Sequence, residues 1–204
     1  MYSLDSVYRK EDGRVLIELT LSSIPQLFHT LDPSPFHQKE LDPEAERYIV
    51  DIVDDFPRET PFRIIVYLPG DLADTKSATE IPQAIRNHFQ YRALMQNQAY
   101  KERSRYGKFT VIVGLVFLAI ATLASNAVSM YFVNSIPAQF GAKALEVAGW
   151  VAMWEPVTVH LYQLWPLVKQ RRIYEKIAGL DIVVLPQSCS VSQDALRACL
   201  QRKE

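Results

Sequence analysis

Hydrophobic positions in this chain follow two patterns: short runs occur near both ends, and two long apolar stretches lie between them. The first stretch, 109–133, has no charged side chain, and the second, 147–168, has a single carboxylate, Glu155. A helix over 109–133 would be about 37 Å long, which exceeds the hydrocarbon core of a bilayer at roughly 30 Å. The pattern predicts two transmembrane helices joined by an external loop at 134–146.

Three shorter runs predict the strands of a small α/β domain. Residues 15–21 alternate between apolar and polar positions, which predicts a strand with one buried face. The runs at 62–68 and 181–185 are apolar and end at a proline. A helix over 43–56, with Asp42 as its N-cap, separates the first two runs, so we expect those strands to be parallel. Because a lone strand is not stable, we expect the third run to join the same sheet.

The predicted fold class is therefore α/β plus membrane: a small, discontinuous three-stranded cytoplasmic domain with an inserted two-helix transmembrane hairpin. No breaker stronger than Gly107 separates the helix that begins near residue 77 from the first span, which predicts one helix of about fifty residues. The predicted divisions are a cytoplasmic domain over 1–76, a juxtamembrane helix over 77–108, the membrane hairpin, and a cytoplasmic return with a polar tail over 169–204.

Charges beside the two apolar stretches indicate the orientation of the hairpin. The connecting segment carries only Lys143, whereas basic residues cluster at the outer ends of both stretches. Cytoplasmic flanks carry the excess of Lys and Arg, so both termini are predicted to be cytoplasmic and the hairpin tip external. The same basic residues are predicted to contact anionic lipid headgroups. They are Lys101, Arg103, Arg105, Lys108, Lys169, Arg171, Arg172 and Lys176.

The soluble part of the chain is acidic, with 16 acidic and 10 basic residues up to position 100. This balance argues against nucleic-acid binding, which requires a basic face. One side of the predicted helix at 43–56 carries Glu44, Asp51 and Asp55. We interpret this side as a contact surface for a cytoplasmic protein partner.

Polar side chains inside the apolar stretches are the candidates for intramembrane function: Asn126, Glu155, His160 and Gln163. In one interpretation, Glu155, His160 and Asn126 line a path for protons or cations near mid-membrane. In a second interpretation, a protonated Glu155 forms a hydrogen bond with Asn126 or with a neighbouring subunit. In a third, the membrane span is shifted, so that Glu155 lies closer to the headgroups. Small residues at Ala121, Ser125 and Ser129 allow close helix approach, so a homo-oligomer is expected.

No motif in the chain indicates an enzyme, a metal site or a cofactor. The segment 31–46 holds several potential metal ligands but matches no metal-binding pattern, and we interpret it as a solvated loop. These potential ligands are Asp32, His37, Glu40, Asp42 and Glu44. Cys189 and Cys199 lack a zinc or CxxC spacing, and a cytoplasmic location predicts that both are free thiols.

Two segments, LFHTLDPSPFHQKELDPEAERYIV and GWVAMWEPVTVHLYQLWPL, resemble a group of uncharacterised bacterial inner-membrane proteins. The resemblance implies a multi-pass protein of the bacterial cytoplasmic membrane with no known activity, so it assigns no functional residue. The expected function is a non-enzymatic, oligomeric scaffold or partner-docking protein at that membrane. The alternative is a small oligomeric ion channel or proton-coupled carrier.

Overall fold

The computed structural model describes residues 7–29, 32, 35 and 39–203, apart from the side chains of residues 160, 202 and 203. The potential metal ligand His37 and most of the LDPSPF segment lie outside the described residues. The chain forms two compact units, one of Met1–Ala93 with Arg172–Glu204 and one of Leu94–Arg171. We call the first the sheet unit and the second the hairpin unit.

The sheet unit is built on four strands in the order β1-β2-β3-β4. β1 (Lys10–Glu11) is antiparallel to β2 (Arg14–Thr20), which is parallel to β3 (Phe62–Leu68), which is parallel to β4 (Asp181–Pro186). The mixed α/β class, the predicted parallel pair and the C-terminal strand's place in the sheet are confirmed. The prediction of three strands is wrong: among the described residues the sheet has four, and the additional strand is β1.

A two-residue turn explains the additional strand. Asp12 and Gly13 have φ values of 49° and 73°, and they connect β1 to β2 so that Lys10 lies opposite Val15. Glycine adopts this left-handed region without a steric penalty, and aspartate tolerates it. An Asp-Gly pair before an alternating run is a hairpin signal that can be read from sequence.

The helices begin and end largely at proline, glycine and capping residues. α1 (Pro43–Asp55) begins after Asp42, whose carboxylate accepts a hydrogen bond from the Glu44 N–H at 2.9 Å. α3 is a continuous helix of 56 residues, Lys76–Tyr131, so the predicted long helix is confirmed. The sheet unit also contains α2 (Gly70–Ala73), the end of α6 (Leu164–Ala178), α7 (Gln193–Lys203), and 3-10 turns at Ile24–Leu27 and Gln187–Ser190.

Apolar side chains cover both faces of the sheet. On one face, Ile17 and Ile64 belong to a core shared with α1, α3 and α6. On the other face, Leu16 and Ile65 pack with Leu196 of α7. Residues 15–21 were predicted to bury one face only, and the second buried face is a correction that follows from the position of α7.

Cys189 and Cys199 form a disulfide, which corrects the prediction of free thiols. The bond joins the 3-10 turn after β4 to α7, so it links this helix to the sheet face that it covers. The prediction rested on a reducing compartment, on the presence of only two cysteines and on their lack of a zinc or CxxC spacing.

The hairpin unit differs from the predicted pair of simple spans. After α3 a short turn at 132–135 leads into α4 (Ile136–Ala152), so most of the predicted loop at 134–146 is helical. The predicted span at 147–168 is divided among α4, α5 (Trp154–Thr158), a π-helical turn (Val159–Gln163) and α6. Pro156 explains the break, because its ring crowds the carbonyl of Ala152, where α4 ends.

Candidate functional site

The outer surface of the hairpin unit is the most unusual feature of the chain. Within the described residues, α3 is the one helix long and apolar enough to cross a membrane. Only 17% of its most apolar 18-residue segment is buried. Exposed apolar side chains on α3 include Phe109, Ile112, Leu115, Phe117, Ile120 and Leu123, and on α4 and α5 they include Phe140, Val147, Trp150 and Trp154. Soluble monomers rarely expose a contiguous apolar surface of this extent, so it marks contact with lipid or protein.

Small residues hold the two helices of the hairpin together. The Ser125 hydroxyl donates a hydrogen bond to the Ala142 carbonyl at 2.8 Å, and Ala121 and Ser125 are buried. A Cβ added to Gly149 would lie 3.0 Å from Leu118 Cδ1 and 3.1 Å from Ala121 Cβ. The predicted row of small residues therefore packs inside one chain, at least at these two positions, and does not face a neighbouring subunit.

These contacts define which residues of the two helices lie side by side. Ala142 lies beside Ser125, Gly149 beside Leu118, and Met153 beside Gly114. Further along, the Arg171 guanidinium donates to the Asn97 side-chain oxygen at 3.0 Å, which continues the same antiparallel alignment.

The alignment moves Glu155 away from the predicted mid-membrane position. It places Glu155 level with Val113, about five residues or roughly 7.5 Å beyond Lys108. Asn126 lies about 13 residues further along α3 than Val113, a separation of roughly 20 Å. Both side chains are exposed. The structure therefore does not bring Asn126 and Glu155 together, and the prediction of a shared depth is corrected.

The other two intramembrane candidates lie in the π-helical turn. Gln163 is half-buried, and its Oε1 is buried without a hydrogen-bond partner among the described residues. His160 occupies the same turn, and its side chain lies outside the described atoms. By the alignment above, this turn lies near the residues just before Lys108, at the base of the apolar stretch.

The predicted headgroup contacts fall into two successive groups along the hairpin. The first group, on α3, consists of the exposed side chains of Lys101, Arg103, Arg105 and Lys108. The second group, on α6, contains Lys169 and Arg171, and the bond from Arg171 to Asn97 places it further from the tip. Arg172 is exposed and is the first residue of the C-terminal part of the sheet unit.

Lys176 is a correction to the predicted set of headgroup contacts. Its ammonium donates to the Arg58 carbonyl at 2.8 Å and lies 4.6 Å from the centre of the Phe62 ring. Burial lowers the pKa of Lys176. This side chain therefore belongs to the sheet unit and is removed from the lipid-contacting set.

Aromatic side chains lie at the level of the first basic group. Tyr162 is exposed in the π-helical turn, and Trp165 is exposed in α6. Tyr106 is exposed on α3, and the Arg103 guanidinium lies 5.7 Å from the centre of the Tyr106 ring. Tyrosine and tryptophan combined with lysine and arginine are typical of the boundary between headgroups and hydrocarbon.

The three acidic residues of the predicted partner surface lie on α1 of the sheet unit. Glu44, Asp51 and Asp55 are all exposed on α1, while Ile49 and Ile52 on its opposite side are buried in the core. The helix therefore presents a solvent-facing side that carries these three carboxylates together with Arg47. Asp32 and Asp42, which were considered as metal ligands, accept backbone hydrogen bonds from Glu40 and Glu44.

A partly buried polar cluster in the sheet unit was not predicted from the sequence. The Glu46 carboxylate accepts hydrogen bonds from Arg92 Nε at 2.8 Å and from the Tyr174 hydroxyl at 3.2 Å, and it lies 3.0 Å from His88 Nε2. These groups come from α1, α3 and α6. We call them the Glu46 cluster, and their separation along the chain explains why no sequence pattern indicated it.

Hydrogen bonding determines the tautomer of His88 in this cluster. Its Nδ1 accepts a hydrogen bond from the Leu41 backbone N–H at 3.1 Å, so the ring proton resides on Nε2 and is donated to Glu46. Burial acts to raise the pKa of Glu46, but the His88 hydrogen bond and the Arg92 charge outweigh it and lower the pKa. Burial and the nearby Glu46 charge raise the pKa of Tyr174. The cluster is therefore a neutral histidine and an arginine on one carboxylate.

Comparisons of the chain with protein-family models, with curated proteins and with solved structures found no match. The resemblance to uncharacterised bacterial inner-membrane proteins stays a prediction. The functional conclusion accordingly rests on the apolar hairpin surface, the basic and aromatic side chains at its base, and the acidic side of α1.

Proposed function

We propose that the chain is an integral protein of the cytoplasmic membrane whose hairpin unit lies in the bilayer and whose sheet unit docks a cytoplasmic protein. The docking role is non-enzymatic, and both termini lie on the cytoplasmic side. The exposed apolar surface of the hairpin unit is the single observation that carries this proposal. The bacterial origin of the membrane comes from the resemblance alone.

Energetics support a bilayer as the environment of the hairpin. Water would have to solvate large apolar side chains such as Leu123, which is 70% exposed, at about 25 cal/mol for each Å². In hydrocarbon that penalty disappears, and the helical backbone satisfies its own hydrogen bonds. α3 from Phe109 to Tyr131 is long enough to cross the hydrocarbon core of a bilayer. Residues 136–158, which form α4 and α5, lie at the same levels as this part of α3.

Charge supports the proposed orientation. The basic side chains at the base of the hairpin, next to Tyr106, Tyr162 and Trp165, fit the cytoplasmic headgroup layer, where each Lys or Arg contributes about 1 kcal/mol. At the tip, the turn at 132–135 has no charged residue, and Lys143 on α4 is paired with Glu146 at 2.8 Å.

The acidic side of α1 supports a docking role for the sheet unit. Glu44, Asp51 and Asp55 are exposed on a helix whose other side is anchored in the core. The exposed side of α1 also carries Arg47, but these three carboxylates give it a net negative charge. A rigid helix with this charge suits a partner that presents lysine or arginine, because complementary charge accelerates encounter and selects the partner.

Reversal of these three charges tests the docking proposal. The full chain is purified in mild detergent with its bound proteins, and Glu44/Asp51/Asp55→Lys is compared with the wild type. We expect the triple variant to lose at least tenfold of a specific partner, because like charges then face each other. The matched control is Glu59/Asp71/Asp74→Lys, which makes the same charge change at exposed sites away from α1.

Recovery of the same partners by both variants would contradict docking through α1. The ion-path alternative requires Asn126 and Glu155 at a common depth, whereas the alignment of the hairpin separates them by roughly 20 Å.

A further inference from the structure

Six polar side chains near the tip of the hairpin lie at matching levels of its two helices. On α3 they are Thr122, Asn126 and Ser129, and on α4 they are Gln139, Lys143 and Glu146. The hydrogen bond between Ser125 and the Ala142 carbonyl defines the common level, since Asn126 and Lys143 directly follow these two residues. Spacings of three and four residues place each set of three on one side of its helix.

Both sets occupy the same face of the hairpin. Successive residues turn by about 100° around a helix, and the buried residues Ser125 and Ala142 mark the sides on which α3 and α4 meet. From each of these residues, its three polar neighbours are displaced by about 40–100° in the same rotational sense. Because α3 and α4 are antiparallel, equal rotations from their contact sides bring both sets of polar residues to the same face of the hairpin. We call this face the tip face. Five of its six residues are exposed, and Glu146 is half-buried.

Hydrogen bonding within the chain satisfies the tip face only in part. The Lys143 ammonium pairs with Glu146 at 2.8 Å, and the Thr122 hydroxyl donates to the Leu118 carbonyl at 2.8 Å. Among the described residues, the Asn126 side chain has no hydrogen-bond partner. If the hairpin lies in a bilayer as proposed, the tip face meets the outer part of the hydrocarbon, where lipid tails offer neither a donor nor an acceptor.

We propose that the tip face is the contact through which two copies of this chain associate in the membrane, an inference that rests on the proposed insertion. A primary amide both donates and accepts, so Asn126 pairs with the same residue of a second copy across a twofold axis. Lys143 and Glu146 differ by about 4.5 Å in level, so each ammonium also reaches the carboxylate of the other copy. The surface is thus complementary to itself.

Disulfide cross-linking of the full chain in liposomes tests the dimer. Cys189 and Cys199 are already paired, so Ser129→Cys adds a free thiol on the tip face. The matched control is Ala127→Cys, which is exposed at nearly the same level on the opposite side of α3. We expect dimers from Ser129→Cys to exceed those from Ala127→Cys at least fivefold under mild oxidation.

Substitution of Asn126 in the Ser129→Cys background tests the amide pair. Asn126→Leu should lower the dimer yield by at least fivefold, because an interhelical amide bond in a membrane contributes about 1–2 kcal/mol. Asn126→Gln should restore the yield, since glutamine keeps both the donor and the acceptor. Equal cross-linking at positions 127 and 129, or a yield unaffected by Asn126→Leu, would overturn the proposed contact.

Flotation of the same liposomes reports binding of the chain to the bilayer separately from dimerisation of the chain. A chain that floats with the vesicles but does not cross-link through Ser129→Cys contradicts the dimer alone. A wild-type chain that remains in the aqueous fraction contradicts the proposed membrane function instead.

Discussion

At the scale of residues, Glu46 contributes to the stability of the sheet unit in a way that can be measured. Its side chain is 13% exposed and receives hydrogen bonds from His88, Arg92 and Tyr174. We expect Glu46→Gln to lower the free energy of unfolding by about 1–3 kcal/mol, because the Arg92 bond loses its charged acceptor. Pulse proteolysis of the full chain in urea measures this change.

The contribution of Glu46 should also depend on pH in a defined direction. Its pKa is lower in the folded chain than the ordinary value of 4.5, so the stabilisation is complete above that value. It is lost as pH falls below 4.5 through the folded-state pKa. The difference in unfolding free energy between wild type and Glu46→Gln should therefore be constant from pH 7 to 5 and shrink towards pH 3. A difference that grows on acidification would contradict this account.

At the scale of elements, Gly149 explains how closely α3 and α4 pack. A Cβ at this position would meet the side chains of Leu118 and Ala121, whereas one at Gly141 would meet nothing within 4 Å. We expect Gly149→Val to destabilise the hairpin by about 1–3 kcal/mol through overpacking. The measurement is unfolding in SDS followed by tryptophan fluorescence.

Gly141→Val is the matched control for Gly149→Val, since both make the same substitution within α4. It should unfold within about 0.5 kcal/mol of the wild type, as surface substitutions usually do. Equal effects of the two variants would indicate that α3 and α4 are not packed through Gly149.

The elements also differ in how far the sequence predicted them. Alternation, proline and capping residues indicated the strands at 15–21 and 62–68 and the long helix α3, because each signal is local. The alignment of α4 with α3 was not predictable, since it depends on which small residues meet. The apolar stretch at 147–168 was therefore placed as a separate span, although the structure divides it among α4, α5, the π-helical turn and α6.

The disulfide shows a different limit of sequence reasoning. Cys189 and Cys199 were predicted to be free thiols mainly from the proposed reducing compartment, and their separation of 10 residues was not used to predict a bond. In the structure they form a disulfide between the 3-10 turn that follows β4 and α7, and Leu196 and Leu200 of α7 belong to the same core. A disulfide is uncommon in a reducing compartment. The bond therefore favours the opposite side of a membrane for the sheet unit from the cytoplasmic side that the basic residues at the base of the hairpin favour.

At the scale of the whole molecule, the central claim is that the hairpin unit lies in a bilayer with the alignment observed between its helices. That alignment assigns a different depth to each tryptophan. Trp150 lies near Leu118, about 15 Å beyond Lys108, and Trp154 lies near Gly114, about 9 Å beyond Lys108. Trp165 lies at the level of the basic residues that precede Lys108. If 147–168 were instead an independent span, Trp150 and Trp165 would lie near opposite surfaces.

Depth-dependent quenching of single-tryptophan variants in liposomes tests this claim most directly. Each variant keeps one of Trp150, Trp154 and Trp165, replaces the other two by phenylalanine, and is measured with lipids labelled near the headgroup or deep in the acyl chain. We expect the deep label to quench Trp150 most strongly, Trp154 to be intermediate, and the headgroup label to quench Trp165. Absence of quenching at all three positions, or shallow quenching of both Trp150 and Trp165, would contradict the claim.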